Sequence, residues 1–359
     1  MRIAKYTASG ELRLMNLNVE DAAALIDYLR RTGRVGAEES PQVHVLTGGV
    51  SNRTVLVERG AAAGGDWVIK QALPKLRVKV DWFSDPARVH REALGLRWLE
   101  QLLPAGCVPR FVFEDYEHHL LAMAAVPIPH ENWKTRLLSG RLDDAYVRQF
   151  AQMLAAIHRG SYERRDELAP AFADRSFFES LRLEPYYGYT ATMVPEAVEF
   201  LHALIDETRR RRLTLVHGDY SPKNILIYQD RLVLLDHEVI HWGDPAFDVG
   251  FSMTHLLSKA HHLPESRGAF ATAACAYWRT YADEIGSGPW QDDLPGHAIR
   301  HTLGCLLARV AGRSPLEYLD DTERGQQRQV VIDLMNSIPP TINELVQRFI
   351  ERLNQRAED

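Results

Sequence analysis

The sequence predicts an α+β chain of two packed lobes: a five-stranded antiparallel sheet with one helix beside it, then a mainly helical remainder. Three observations lead there. At 359 residues the chain exceeds the length at which a single hydrophobic core usually stops growing, so two cores with a cleft between them are expected. Short β-rich runs separated by glycine-bearing turns are concentrated in roughly the first third. Beyond Pro127 and Pro129 the apolar spacing is mostly helical. The boundary is expected near Val126, giving lobes of residues 1–126 and 127–359.

Taken in order, residues 19–33 carry Ala23, Leu25, Ile26 and Leu29 on one helical face and end at Gly33. The runs VHVLT (43–47), RTVLVE (53–58) and DWVIK (66–70) read as a strand meander. A helix then starts at Asp85 and Pro86 and continues to about Leu103. Its Glu92 lies on the same stripe as Val89, Ala93 and Leu96, and a carboxylate facing a core needs a partner. RFVFED (110–115) and HLLAMAAV (119–126) complete five strands. Helices follow over 143–160, 194–210, 244–259, 267–285, 297–311 and from Gln326 through most of the C-terminus. Short β signals interrupt them at 213–217, 225–228 and 232–235.

Composition narrows the function. Hydrophobic residues at 45% and charged residues at 25% are ordinary globular values, which argues against disorder over most of the chain. A net charge of −6 without a long basic run gives no footprint for nucleic acid or an anionic membrane. No apolar run approaches membrane-spanning length, and MRIAKYTASG lacks a secretory h-region, so a cytoplasmic location is expected. Cys107, Cys275 and Cys305 form no CxxC pair, and the adjacent pairs His118/His119 and His261/His262 lack the offset of metal ligands on one helical face.

The densest chemistry lies in LVHGDYSPKNILIYQDRLVLLDHEVIHWGDPAFD, residues 215–248. Asn224 precedes one short strand and Asp236 follows the next. A turn at Gln229, Asp230 and Arg231 folds the two strands into a hairpin, bringing its outer ends to about 4.5–5.5 Å between Cα atoms if they pair directly. An amide oxygen and a carboxylate converging there suit a hard cation such as Mg²⁺, completed by substrate phosphates. Asp219, on the connecting loop, is placed to accept or orient a hydroxyl proton.

In HGDYSPKN, LLDHE and GDPAFD the chain resembles the phosphotransferase enzyme family, the protein-kinase-like group of aminoglycoside phosphotransferases, choline kinases and methylthioribose kinases. LLDHE lacks the glycine of the protein-kinase DFG motif, which favours a small-molecule kinase. The resemblance implies a bilobal protein-kinase-like fold, ATP and Mg²⁺ as cofactors, Asp219 as catalytic base, Asn224 and Asp236 as metal ligands and Glu238 as a possible third. Asp244, Asp248 and His217 are implied to support the loop, Asp248 by bonding its backbone.

In the first lobe, VLTGGVSNRTVLV places Gly48 and Gly49 in a turn where backbone amides can approach phosphates. By itself such a turn is more often a plain hairpin, but with Ser51 and Asn52 it resembles the family's GGxSN turn. Lys70 and Glu92 resemble the kinase lysine and its helix glutamate. On residues alone, a snorkelling Lys70 and a backbone-bonded Glu92 are an equal alternative. LLAMAAVP resembles the adenine-binding hinge, with backbone groups of Met123, Ala124 and Ala125 on the base; taken alone, the segment reads first as an ordinary buried strand.

The resemblance runs from about Val45 to Asp248. Segments 132–140, 177–190 and 308–319 are most like methylthioribose kinases and point to a sugar-like hydroxyl acceptor, with an aminoglycoside-like one also open. Trp133, Tyr186, Tyr187 and Arg313 are its candidate contacts, against the packing role common to aromatics. Two other functions remain in view: a nucleotide-binding pseudokinase acting as a regulatory module, and a metal-dependent hydrolase. Lys70, Asp219, Asn224 and Asp236 are all present, unlike the usual pseudokinase, and the histidine-rich two-metal array of a hydrolase is not evident.

Overall fold

A computed structural model describes residues 4–6, 12–14, 17–47, 49–60, 64–77 and 81–358. The chain divides into two compact units, residues 1–97 with 109–125, and residues 98–108 with 126–359. Among the described residues, no helix is long and apolar enough to cross a membrane.

The first unit opens with the pair β1 (Ala4–Tyr6) and β2 (Leu12–Leu14), followed by α1 (Ala22–Arg31). Asp21 caps α1 by accepting from the N–H groups of Ala23 and Ala24. The five-stranded antiparallel sheet comprises β3 (Gln42–Leu46), β4 (Asn52–Glu58), β5 (Trp67–Ala72), then, after α2 (Arg88–Leu102), β6 (Phe111–Asp115) and β7 (Leu120–Ala124). Its strand order is β3-β4-β5-β7-β6. Val55, Ile69 and Ala122 sit abreast in register. With Val57, Trp67 and Leu120 they form one buried face, which packs with Leu25, Tyr28 and Leu29 of α1. Burying such a face is what stabilises a sheet carrying short strands.

The second unit holds the strand β8 (Glu131–Asn132), α3 (Trp133–Leu138), α4 (Asp144–Glu163), α5 (Arg165–Ala171) and the single turn α6 (Ser176–Phe178). A π-helical segment Glu179–Gly188 follows, then α7 (Tyr189–Met193), α8 (Val198–Arg210), β9 (Thr214–Val216), the hairpin β10 (Ile225–Tyr228) and β11 (Arg231–Leu234), and β12 (His241–Gly243). The helices α9 (Pro245–His262), α10 (Arg267–Ile285), α11 (Leu294–Ala311), α12 (Asp321–Met335) and α13 (Ile342–Glu358) complete it. Helix α9 is buried along nearly its whole length. Gly250 lets α11 come close, because a Cβ there would lie 2.5 Å from the Cβ of His301.

Several elements differ from the sequence reading. The helix expected to stop at Gly160 runs on to Glu163, since glycine weakens a helix interior without ending it. The single C-terminal helix is two, broken at Pro339 and Pro340. Residues 98–108 belong with the second unit, where the Leu234 N–H donates to the Cys107 carbonyl at 2.8 Å and Arg164 lies 4.4 Å from the Trp98 ring.

Candidate active site

The catalytic-loop segment is shaped by a carboxylate thirty positions later. Asp248, fully buried in the first turns of α9, accepts from the His217 N–H at 2.7 Å through Oδ2 and from the Gly218 N–H at 2.8 Å through Oδ1. This is the backbone-bonding role expected for Asp248. Burial alone would raise its carboxyl; the imidazoles of His158 and His217 and the Gly218 N–H outweigh that and hold it below the ordinary range. Gly218 has a φ of +78°, and a Cβ there would meet Val239 Cγ2 at 2.9 Å, so no other residue fits without strain.

His217 is fully buried and depressed in pKa chiefly by that burial. Its Nδ1 accepts the Asp219 N–H at 3.2 Å. The proton of the neutral ring therefore sits on Nε2, which faces His237 Nδ1 at 3.1 Å. Ser252 Oγ, one turn beyond Asp248 on α9, donates to the Tyr220 carbonyl at 3.0 Å. Tyr220 in turn donates through its hydroxyl to the Phe150 carbonyl at 2.8 Å.

Asp219 and Asn224 are brought together directly. Asn224 Nδ2 donates to Asp219 Oδ2 at 2.8 Å and to the Asp219 carbonyl at 3.0 Å, which leaves the amide oxygen of Asn224 as an acceptor. The hairpin beyond has a two-residue turn, Gln229 and Asp230, both at positive φ (48° and 57°), the backbone that twisted hairpins favour. Tyr228 pairs with Arg231 and Ile225 with Leu234. Leu235, whose N–H reaches the Asn224 carbonyl at 2.9 Å, thus lies opposite Asn224. The direct Asn224–Asp236 pairing considered from sequence is off by one residue; Asp236 follows at a φ of +67°.

Arg182 is the residue that sequence reasoning missed here. Reaching in from the π-helical segment, it pairs with Asp219 Oδ2 at 2.9 Å and donates through Nε to the Gly218 carbonyl at 3.0 Å. Burial would lower its pKa, yet the charges of Asp219, Glu238 and Asp236 raise it. These three carboxylates therefore all lie within electrostatic reach of one guanidinium. Glu238 is buried and Asp236 half-buried. Among the described residues, no three His, Cys, Asp or Glu side chains group closely enough to hold a metal ion. Asn224 and Asp236 carry an amide oxygen and a carboxylate, donors of the kind a hard cation takes.

In the first unit, Lys70 Nζ lies 2.6 Å from Glu92 Oε1, with the glutamate side chain 1% exposed. Gly48 lies outside the described residues, while Gly49 falls in the loop between β3 and β4. Ser51 and Asn52 are buried, and Asn52 Nδ2 donates to Ser51 Oγ at 3.1 Å. Arg88, also unforeseen, is fully buried and donates to the carbonyls of Ser51 and Leu73, the latter at 2.9 Å. In the hinge-like segment, Met123 lies between Val68 and Phe111 in the sheet. The N–H groups of Ala124 and Ala125 are taken by the carbonyls of Arg110 and Asp66, at 2.8 Å each.

The four expected acceptor contacts divide. Trp133 and Tyr187 have no accessible surface. Trp133 packs edge-on to Phe150 at 4.8 Å between centroids. The Tyr187 hydroxyl bonds His301 Nδ1 and Cys305 Sγ at 2.9 and 3.1 Å. Both are packing elements here. Tyr186 keeps 5% exposure, accepts from Arg309 at 3.2 Å and has Arg182 5.9 Å from its ring. Arg313 is exposed, over the Tyr189 ring at 4.9 Å.

A five-stranded antiparallel unit, a helical unit and an Asp–Asn loop leading into a short hairpin define a protein-kinase-like phosphotransferase. The family model described as "Phosphotransferase enzyme family" matches residues 42–283, and the chain belongs to that family. It is similar to methylthioribose kinase of Yersinia pestis (strain Pestoides F), 24% identical over 363 residues covering 84% of this chain and 87% of the relative. Among solved structures it is similar to amicoumacin kinase hAmiN, TM-score 0.56 at 14% identity, covering 89% of this chain and 96% of that one. It is also similar to macrolide 2′-phosphotransferase MphH of Brachybacterium faecium, TM-score 0.50 at 18% identity, covering 88% and 98%. The protein is a small-molecule kinase, a phosphotransferase with an alcohol group as acceptor.

Proposed function

We propose that this kinase transfers the γ-phosphate of ATP to a hydroxyl of a sugar-like small molecule, with Asp219 as the base. The observation that carries the reading is the state of the Asp219 carboxylate: Oδ2 is held by both Asn224 and Arg182, which leaves Oδ1 to take a hydroxyl proton. A base fixed in this way meets the acceptor in one orientation, and such positioning is most of what a phosphoryl-transfer enzyme supplies. The hydroxyl oxygen attacks the γ-phosphorus, the bond to the β-phosphate oxygen breaks, ADP leaves, and the proton passes to Asp219.

Asn224 and Asp236, assisted by Glu238, are the residues that would hold Mg²⁺; the ion neutralises phosphate charge when bound. Lys70, aligned by Glu92, is assigned to the nucleotide phosphates, and Gly48, Gly49, Ser51 and Asn52 to the turn that covers them. The methylthioribose kinase relative supports a sugar-like acceptor. Purified protein given ATP, Mg²⁺ and a panel of sugars and aminoglycosides is expected to release ADP only when an acceptor is present, most strongly with a sugar-like one. ADP release independent of acceptor, or nucleotide binding with no turnover on any member, would count against the assignment.

A further inference from the structure

Beyond Asp248 and Ser252, helix α9 carries two side chains with no part in the chemistry above. Asp248, Ser252, His255 and Lys259 follow the spacing that lines one helical face. The first two hold the catalytic loop. The next two are buried nitrogen bases, His255 at 6% and Lys259 at 0% exposure. Among the described residues, the one acceptor within hydrogen-bond distance of Lys259 Nζ is the His255 carbonyl of its own helix, at 3.2 Å, and no carboxylate pairs with it.

The surroundings add positive charge. Lys134 of α3 and Lys259 approach the same Tyr318 ring, at 6.0 and 5.5 Å from its centroid. Among the described residues, neither the buried Tyr318 hydroxyl nor the buried Arg309 Nε has a hydrogen-bond partner. His255 is driven well below its ordinary pKa by burial and then by Lys259, Arg309, Lys134 and Lys223, all cations. Burial, Lys134 and Arg309 bring Lys259 down to about 7, against the opposing charge of Glu317. That glutamate is 63% exposed and reaches in from the surface to pair with Lys134. Converging cations without a buried counter-charge are costly to a folded chain; an anion in the place Glu317 now takes removes that cost.

We propose that Lys134, His255, Lys259 and Arg309 form a subsite for an anionic group of the acceptor, a carboxylate or phosphate, with the Glu317 carboxylate as its stand-in in the free protein. The cluster is continuous with the catalytic loop: Arg309 bonds the Tyr186 hydroxyl, and Arg182, beside the same ring, holds Asp219. Lys259 lies seven positions beyond Ser252, which bonds the Tyr220 carbonyl. At 1.5 Å per residue, the subsite lies about 10 Å along α9 from the loop, on the order of the extended length of a sugar phosphate. Polycationic acceptors would meet like charge there. That the group belongs to the acceptor rests on the kinase reading; the existence of the site does not.

The probe is inorganic sulfate at pH 6.5, against sodium chloride of equal ionic strength, read by thermal unfolding of the full chain. Sulfate is expected to raise the midpoint of the wild type beyond chloride. Lys259→Met should melt higher than wild type without sulfate and lose the sulfate response. Lys134→Gln, at a partly exposed position, should keep the wild-type midpoint and weaken sulfate binding about tenfold or more. Equal effects of sulfate and chloride on the wild type, or a full sulfate response in both variants, overturn the site. ADP-release assays then compare a neutral sugar with its carboxylate and its phosphate ester. An anionic acceptor should be favoured in kcat/KM by about tenfold or more, roughly one charge-assisted hydrogen bond, and parity with the neutral sugar overturns the acceptor assignment. Sulfate binding with no turnover on any acceptor supports the site and strikes the kinase reading alone.

Discussion

At the scale of single residues, the site is a set of oxygens fixed by nitrogens. Replacing Asp219 by Asn keeps the shape and removes the base, so turnover should fall by about 10²–10⁴-fold while ATP affinity, measured by titration, stays near wild type. Unchanged turnover would refute the assignment. Asp236→Ala should instead weaken nucleotide binding selectively in the presence of Mg²⁺, and a magnesium-dependent affinity equal to wild type would remove Asp236 from the metal role. Residues of this kind were legible in the sequence because their chemistry resides in residue type and short spacing: HGDYSPKN puts an acid and an amide five positions apart, and the structure bonds them at 2.8 Å. Arg182 was not legible. Nothing in FFESLRLEPYYGYT separates a surface arginine from one that grips a carboxylate thirty-seven positions later.

At the scale of elements, the reason is geometric. Arg182 sits in a π-helical stretch, where each turn holds more residues than the 3.6-residue period used to read faces from sequence. The face assignments that located Glu92 on α2 therefore fail there. The β10–β11 hairpin was legible, while its register was not, because the two-residue turn moves Arg231 from the turn into the strand. Burial explains Trp133 and Tyr187 as well: an aromatic facing the packing of α3 or α11 looks, in sequence, like one facing a pocket. The loop before β10 depends on Gly218, and Gly218→Ala should destabilise the protein by about 1–3 kcal/mol through forced positive φ and the Val239 contact. Chemical denaturation measures this, and a loss below a few tenths of a kcal/mol would mean the loop relaxes freely.

At the scale of the whole molecule, the two-unit organisation follows from length and from the change of periodicity after the last strand of the sheet. The assignment of residues 98–108 is settled by tertiary contacts alone, because a helix reads the same whichever core its last turns join. Overall stability should carry the mark of Lys259. Its folded pKa, about 7, lies below the unfolded value of about 10.4, so between these values the unfolded chain binds the extra proton and stability rises with pH. Denaturant midpoints compared at pH 6 and pH 9 should show a rise in the wild type that is smaller in Lys259→Met; an equal rise in both would exclude this lysine as its source. The fork by which Asp248 holds two successive backbone amides has one more implication, for synthesis. A nascent chain that has emerged only as far as Glu238 already possesses every side chain assigned to the reaction. It lacks the clasp that gives them a common geometry, so enzymatic competence arrives only once α9 has been made and has docked.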